Sequence, residues 1–421
     1  MSRREQRGHN WESTYIDNRF LVLDMIRRSG PLSKSDISAM TGLTSMTAGN
    51  IINDLYKLDL ITSAGIQKSK VGRKPRVYAV SPGSRVCISV DLSSDDITLG
   101  LVDVLGNLRA SNSIEVSKGD GTTVFHLINA LNDFCMQEVI NKQLELIGIG
   151  VAVPGIINSE SGVVVLSVPL GWQDVPIKTV LEQVFPVPIH VGKETHASIV
   201  GEYYFGTGSN VQDILFVNVG SGIGVGVMID NKIHNGANQM AGELGHVVVD
   251  PNGPKCNCGN RGCLERMASL RSIVDRATEA AADGESSLIA EMAKKRGGKV
   301  VIADVFKAFE QEDNVAVRIV QEAAGHLARG LVMLKRLFDP ELIIVGGNAI
   351  EDGKLYCETV LRYFRECLAN SKLPFDRETA ITFSRLGDKG RLLGASSWAF
   401  NSYFASLLDQ SVSGKEREGD S

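Results

Sequence analysis

Apolar residues in the first eighty positions fall at helical spacing. Ile16, Phe20, Leu23 and Ile26 recur every three to four residues, which predicts an amphipathic helix over 13–29. Gly30-Pro31 stops it. Ser33 then offers an N-cap, with Asp36 three residues on, opening a short helix that carries Ile37 and Met40. After the turn Thr41-Gly42-Leu43, a third helix is expected over 45–58, with Ala48, Ile51, Ile52, Leu55 and Leu58 facing inward. Two β-type runs follow, 60–64 and 76–80, joined by a basic loop over 65–75. Three helices and a basic hairpin predict a winged helix-turn-helix over 13–82.

From Pro82-Gly83 onward the period changes. Strand-length runs at 86–91, 98–104 and 107–115 precede a helical stretch over 122–140 and a continuous apolar strand over 147–153. The pattern returns with strands at 214–219 and 224–229, mainly helix over 304–338 and a buried strand at 342–345. Such alternation predicts α/β lobes, placed here at 83–195 and 196–390. Trp398, Phe400, Tyr403, Phe404 and Leu407 mark an amphipathic helix within 391–409, ahead of a polar tail over 409–421. That helix is expected to return to the first lobe or to pack beside the N-terminal head. A scaffold for protein contacts is the other reading.

The length of 421 residues suits two or three domains, and the composition, 43% apolar and 22% charged, is that of a soluble globular chain. The run 214–229 is studded with glycine and falls short of the ~20 apolar residues a membrane helix needs. Residues 1–11 are polar and Arg-rich without an apolar core, so neither membrane integration nor secretion is expected, and the location is taken as cytoplasmic. The net charge of −5 conceals an asymmetry, because residues 1–82 carry 13 Lys/Arg against 7 Asp/Glu. A basic head on an acidic body is either a nucleic-acid module fused to something else or a solvated basic tail.

The third helix helps to separate these readings. Its outer face shows Ser45, Met46, Thr47, Gly49, Asn50 and Asn53, none of them acidic, so it can enter a major groove without repelling phosphates. Lys68, Lys70, Arg73 and Lys74 in the loop would neutralise phosphates or reach the minor groove. A protein-docking helical domain is the competing interpretation. One such module reads few base pairs, which predicts a homodimer, or a homotetramer, on paired half-sites of double-stranded operator DNA.

Seven cysteines lie at 87, 135, 256, 258, 263, 357 and 367. Four are scattered, as buried thiols of a reducing compartment would be. Cys256, Cys258 and Cys263 form C-x-C-x4-C, with His246 ten residues ahead. Three thiolates and one imidazole close a tetrahedral zinc site with no open position, so one structural Zn2+ per subunit is expected.

Gly-rich junctions follow strands at Val153-Pro154-Gly155, at 220–224 and at Val345-Gly346-Gly347-Asn348. In this order they resemble the phosphate and adenosine loops of the actin/hexokinase-type ATPase fold. The run from Glu243-Leu244-Gly245-His246 through Cys256, Cys258 and Cys263 to Glu265 resembles the E-x-G-H…C-x-C-G-x-x-G-C-x-E motif of the ROK family. That family groups bacterial sugar kinases with sugar-responsive repressors, and the resemblance covers essentially the whole chain. The N-terminal head and the wing Gly72-Arg73-Lys74-Pro75 are similar to the family's repressors.

The resemblance also marks departures. The kinases' D-x-G-G-T phosphate loop is matched here by Asp91-Leu92-Ser93-Ser94-Asp95, without either glycine. Their catalytic N-D-x-N is matched by Lys193-Glu194-Thr195-His196. ATP-dependent phosphotransfer is therefore not expected, and a sugar kinase with an appended regulatory head is the alternative. By resemblance, Glu194, Glu243, His246 and Glu265 would contact a sugar, with His246 using its second ring nitrogen. For Glu243 and Glu265 a supporting role around the zinc loop is the other reading. Lys193 and His196 replace amides, and Pro169 replaces an asparagine before Leu170-Gly171-Trp172, which suggests an anionic effector such as a sugar phosphate. A regulatory protein partner in place of the sugar is a further possibility that the family admits.

Overall fold

Helix α1 (Trp11–Ser29) opens the described part of the chain, a computed structural model that describes residues 11–66, 75–116, 123–209, 211–369, 371–373 and 380–419. After it come β1 (Leu32–Ser33), α2 (Lys34–Thr41), α3 (Ser45–Lys57), β2 (Ile61–Ile66) and β3 (Arg76–Val80). The capping box is formed: the Asp36 amide donates to Ser33 Oγ at 3.2 Å, and the Ser33 amide donates to Asp36 Oδ2 at 2.9 Å. Gly42, at φ 72°, ends α2 in the left-handed region that glycine enters without strain. Thr44 caps α3 by accepting from the Thr47 amide, a cap the sequence pattern did not reveal. Ala48, Ile51, Ile52 and Leu55 are buried with Val22, Leu23, Ile26 and Ile37, whereas Leu58, just past the helix end, is only half-buried. The strands form an antiparallel sheet in the order β1-β3-β2. Lys68, Lys70, Arg73 and Lys74 lie outside the described residues.

The next segment runs β4 (Arg85–Leu92), β5 (Asp96–Asp103), β6 (Leu108–Glu115), α4 (Thr123–Cys135), β7 (Glu145–Val153), β8 (Ile156–Asn158), β9 (Val163–Ser167), β10 (Trp172–Val175), α5 (Ile177–Glu182), β11 (Ile189–Lys193) and α6 (Glu194–Phe205). Its main sheet has the order β11-β7-β4-β5-β6, with β4 parallel to β7 and antiparallel to β5. Leu127, Leu131 and Phe134 of α4 pack with Val86, Ile88, Ile149 and Val151 in one buried cluster.

The following segment repeats that plan. It contains β12 (Ile214–Val219), β13 (Ile223–Ile229), β14 (Lys232–Ile233), α7 (Leu264–Ala268), α8 (Leu270–Ala282), α9 (Leu288–Lys295), α10 (Ile302–Glu310), α11 (Asn314–Phe338), β15 (Leu342–Gly346), α12 (Asn348–Asp352), α13 (Lys354–Ala369) and β16 (Ala380–Phe383). The sheet order β14-β13-β12-β15-β16 reproduces that of the first lobe: a hairpin on one side of the founding strand, two parallel strands on the other. The final helix is α14 (Lys389–Gly419).

The chain divides into two compact units, residues 1–205 with 391–421, and residues 206–390. The lobe boundary placed at 195 therefore moves to 205, because α6 is one unbroken helix that a cut at 195 would sever. The segment 304–338 is two helices, since Asp313 accepts from the Val315 and Ala316 amides and starts α11 afresh. The polar run after 409 continues α14 to Gly419 rather than forming a tail; it contains no proline to end the helix. Within unit 1, α14 lies directly on β7 and α6. Ala152, Ala197 and Ala395 meet there, and a Cβ on Gly150 or Gly394 would overlap the carbonyl oxygen of Ala395 or Ala197.

Candidate metal centre and ligand site

Hydrogen bonds within unit 2 fold the chain between β14 and α7 onto itself. The Val249 amide donates to Gly262 O at 2.9 Å, and Val248 pairs with Cys263 as an isolated bridge. Gly262, at φ 64°, permits this closure, because a Cβ there would overlap Asp250 O. The fold gathers His246, Cys256, Cys258 and Cys263 so that their ligand atoms lie within 4.8 Å of one another. His246 Nδ1 stands 3.7 Å from Cys256 Sγ, and Cys258 Sγ stands 3.6 Å from Cys263 Sγ. Four ligands about 2.0–2.3 Å from a tetrahedral centre are spaced at nearly these distances. Burial, and then bonding to Cys258 and Cys256, pushes the Cys263 thiol up to about 12, whereas the Asn260 backbone pulls Cys258 down. A divalent cation among them reverses the rise at Cys263 by pairing with thiolates, so the cluster is suited to hold a metal ion.

The carboxylates of the motif surround this centre. His246 Nε2 turns toward Glu243 Oε2 at 3.9 Å. Glu265 sits in the first turn of α7, and its Oε2 accepts from the Ile223 amide at 3.1 Å. A Cβ on Gly222 would come within 2.6 Å of that oxygen, and one on Gly245 would overlap Ile223 O. Gly245, the motif's first glycine, and its terminal glutamate thus hold the metal loop against the glycine turn 220–224. Glu265 thereby braces that turn. Glu243 remains beside the imidazole.

In unit 1, β11 delivers Lys193 and Glu194 to the start of α6. Glu194 is half-buried, while Lys193 and His196 are buried. Burial, aided by the neighbouring Lys193 charge, pulls His196 down to about 3. His196 is therefore neutral near pH 7 and adds no positive charge, contrary to its expected contribution to an anion-binding pocket. The sequence shows the residue type but not its burial.

The tip between β4 and β5 uses its own donors. Ser93 Oγ accepts from the Asp95 amide at 3.2 Å and from the Asp96 amide at 3.0 Å. Asp91 is tied to Arg391, whose Nε donates to Oδ2 at 2.6 Å. In the head, Ser45, Met46, Asn50 and Asn53 are exposed on α3, and Thr47 is half-buried with its hydroxyl 2.9 Å from that of Thr44. No helix among the described residues is long and apolar enough to cross a membrane.

Two lobes of repeated topology carrying a Cys3His loop and an N-terminal helical head define a chain of the actin/hexokinase-like class. The ROK family model matches residues 87–402, and the chain belongs to the ROK family. It is 30% identical to the xylose repressor of Bacillus spizizenii over 388 residues, 90% of this chain and 94% of that one. It is also 30% identical to the glucokinase of Halalkalibacterium halodurans over 280 residues, 66% of this chain and 84% of that one. Among solved structures it is similar to a ROK family transcriptional regulator, a homolog of the E. coli MLC protein, with TM-score 0.78, 25% identity, and 94% and 98% of the two chains covered.

Proposed function

We propose that this chain is a sugar-responsive, DNA-binding transcriptional repressor of carbohydrate uptake or catabolism genes. One observation carries the reading: the likeness to a xylose repressor covers 90% of the chain and so must extend before residue 87, into the helical head. The head is read as a winged helix-turn-helix. Its α3 presents Ser45, Met46, Asn50 and Asn53 to solvent with no acidic side chain among them. Lys68, Lys70, Arg73 and Lys74 are assigned to phosphate and minor-groove contacts, and two or four subunits to paired half-sites. The metal is read as structural zinc, because three thiolates and an imidazole leave no ligand position open. Glu194, Glu243, His246 and Glu265 are the residues assigned to the effector. A neutral His196 weakens the case for an anionic sugar and puts neutral sugars on an equal footing. The site of action is read as the cytoplasm, where such a regulator would meet its operator.

The kinase alternative is disfavoured by the β4–β5 tip. A phosphate cradle needs free backbone donors, and here Ser93 occupies the amides of Asp95 and Asp96. Purified protein should select a defined duplex from random-sequence DNA, and Asn50→Ala should weaken that binding by about 1–3 kcal/mol and relax one base position. The same preparation should turn over no ATP with a panel of hexoses and pentoses. Failure to select any sequence, or ATP turnover at about 1–100 per second, would refute the assignment.

A further inference from the structure

The DNA head is seated on the body through a polar seam. Arg27, in the last turns of α1, donates through Nη1 to Asn401 Oδ1 at 2.9 Å and through Nη2 to Ser397 Oγ at 3.1 Å. Its guanidinium lies 4.4 Å from the Tyr204 ring centre, 5.4 Å from Phe205 and 5.3 Å from Phe400. Next to it, Arg28 stacks 3.7 Å over Tyr203 and donates to the Tyr203 hydroxyl. Asn401 Nδ2 donates to the Tyr204 hydroxyl at 3.0 Å, and that hydroxyl is bonded to the Asp24 carboxylate. The seam is therefore one network across α1, α6 and α14.

Two properties set it apart from an ordinary packing contact. Asp24 Oδ1 and Arg27 Nε are buried without a hydrogen-bond partner. A half-paired buried network stabilises less than an apolar contact of the same size, so this seam is held less firmly than a fully paired or apolar contact would be. The seam also shares its supports with the ligand site. Tyr203, Tyr204 and Phe205 end the same helix that Glu194 begins, roughly 17 Å away at 1.5 Å per residue. Trp398, adjacent to Ser397 on α14, packs on Gly192 immediately before Lys193, so closely that a Cβ on Gly192 would come within 2.6 Å of the indole. Gly394 touches α6 at Ala197. A shift at the start of α6 has two stiff routes to Arg27, along α6 and along α14.

We propose that the Arg27–Tyr204–Asn401 seam is the joint through which a sugar at the start of α6 changes the seating of the DNA head. The proposal rests on the regulator reading above. Effector binding would move the α6 and α14 supports together, and the poorly paired network would yield before the packed alanine contacts do.

The test uses the full chain as wild type, Tyr204→Phe and Arg27→Met, with the duplex that wild type selects from random-sequence DNA. Probes are D-xylose, D-glucose, N-acetyl-D-glucosamine and glucose 6-phosphate. In wild type one of these should weaken DNA binding at least about tenfold, a usual coupling strength, and slow amide exchange over 193–197. In both variants the sugar should still protect 193–197, and sugar-free DNA affinity should stay within about threefold of wild type. The effect of sugar on DNA should fall below about twofold. Full coupling in the variants would overturn the joint and leave the regulator reading intact. If no probe protects 193–197 or alters wild-type DNA binding, the sugar-responsive reading fails and the joint falls with it. Should Tyr204→Phe not fold, Arg27→Met, which keeps an unbranched apolar stem under the aromatic rings, decides.

Discussion

Replacing Cys256 with serine is expected to strip the metal from the loop, to lower the unfolding midpoint by on the order of 10 °C and to abolish repression. Cys256 and Cys263 are buried, and each anchors one arm of the segment between His246 and α7. Removing one thiolate leaves three ligands for a closed tetrahedral site and frees a segment whose free energy of folding is largely that of metal binding. A loss of a few kcal/mol shifts the midpoint of a unit this size by roughly 2–4 °C per kcal/mol. Release of the loop also frees Glu265, and with it the bond to the Ile223 amide that fixes the glycine turn. Elemental analysis should read one zinc per wild-type chain and none in the variant, and a strong chelator should reproduce the fall in melting temperature. Unchanged metal content, or an unchanged melting curve once the metal has gone, would refute the structural role.

Gly394→Ala should destabilise unit 1 by at least about 3 kcal/mol, the upper range for overpacking, because the added methyl would overlap the backbone carbonyl of Ala197. Backbone cannot step aside as a side chain can, so α14 must lift from α6. Gly150→Ala, aimed at the Ala395 carbonyl, should act in the same way. Gly325→Ala is the control of opposite sign: within α11 its nearest neighbour would be 3.8 Å away. It should be neutral or stabilising by up to about 1 kcal/mol through helix propensity. Chemical denaturation of the three variants checks the ranking. Equal stabilities would show that α14 is not seated as described.

Local features were legible in the sequence where one segment contains all the participants. The Ser33 capping box, the inward positions Ala48, Ile51, Ile52 and Leu55, and the Cys3His cluster each lie within a short stretch. Features that depend on distant partners were not legible. Glu265 and Ile223 are 42 residues apart, and Arg391 and Asp91 are 300 apart. Neither pair has a periodicity that could betray it. The charge of His196 escapes a sequence reading for a related reason: it is set by burial, which is a tertiary property. The repeated strand order escaped notice because hydrogen-bonding order leaves no trace in composition.

One consequence follows from the order in which unit 1 is assembled along the chain. Its closing helix is encoded after all of residues 206–390, yet Arg27 and Arg19 of the first helix bond to Asn401, Ser397 and Leu408 on it. At about 5–20 residues per second, a ribosome takes roughly ten to forty seconds to traverse the inserted unit. During that interval the nascent head has the α6 half of its seat but lacks the α14 half. Chaperone capture, or premature contact with nucleic acid, would compete with correct docking in that window.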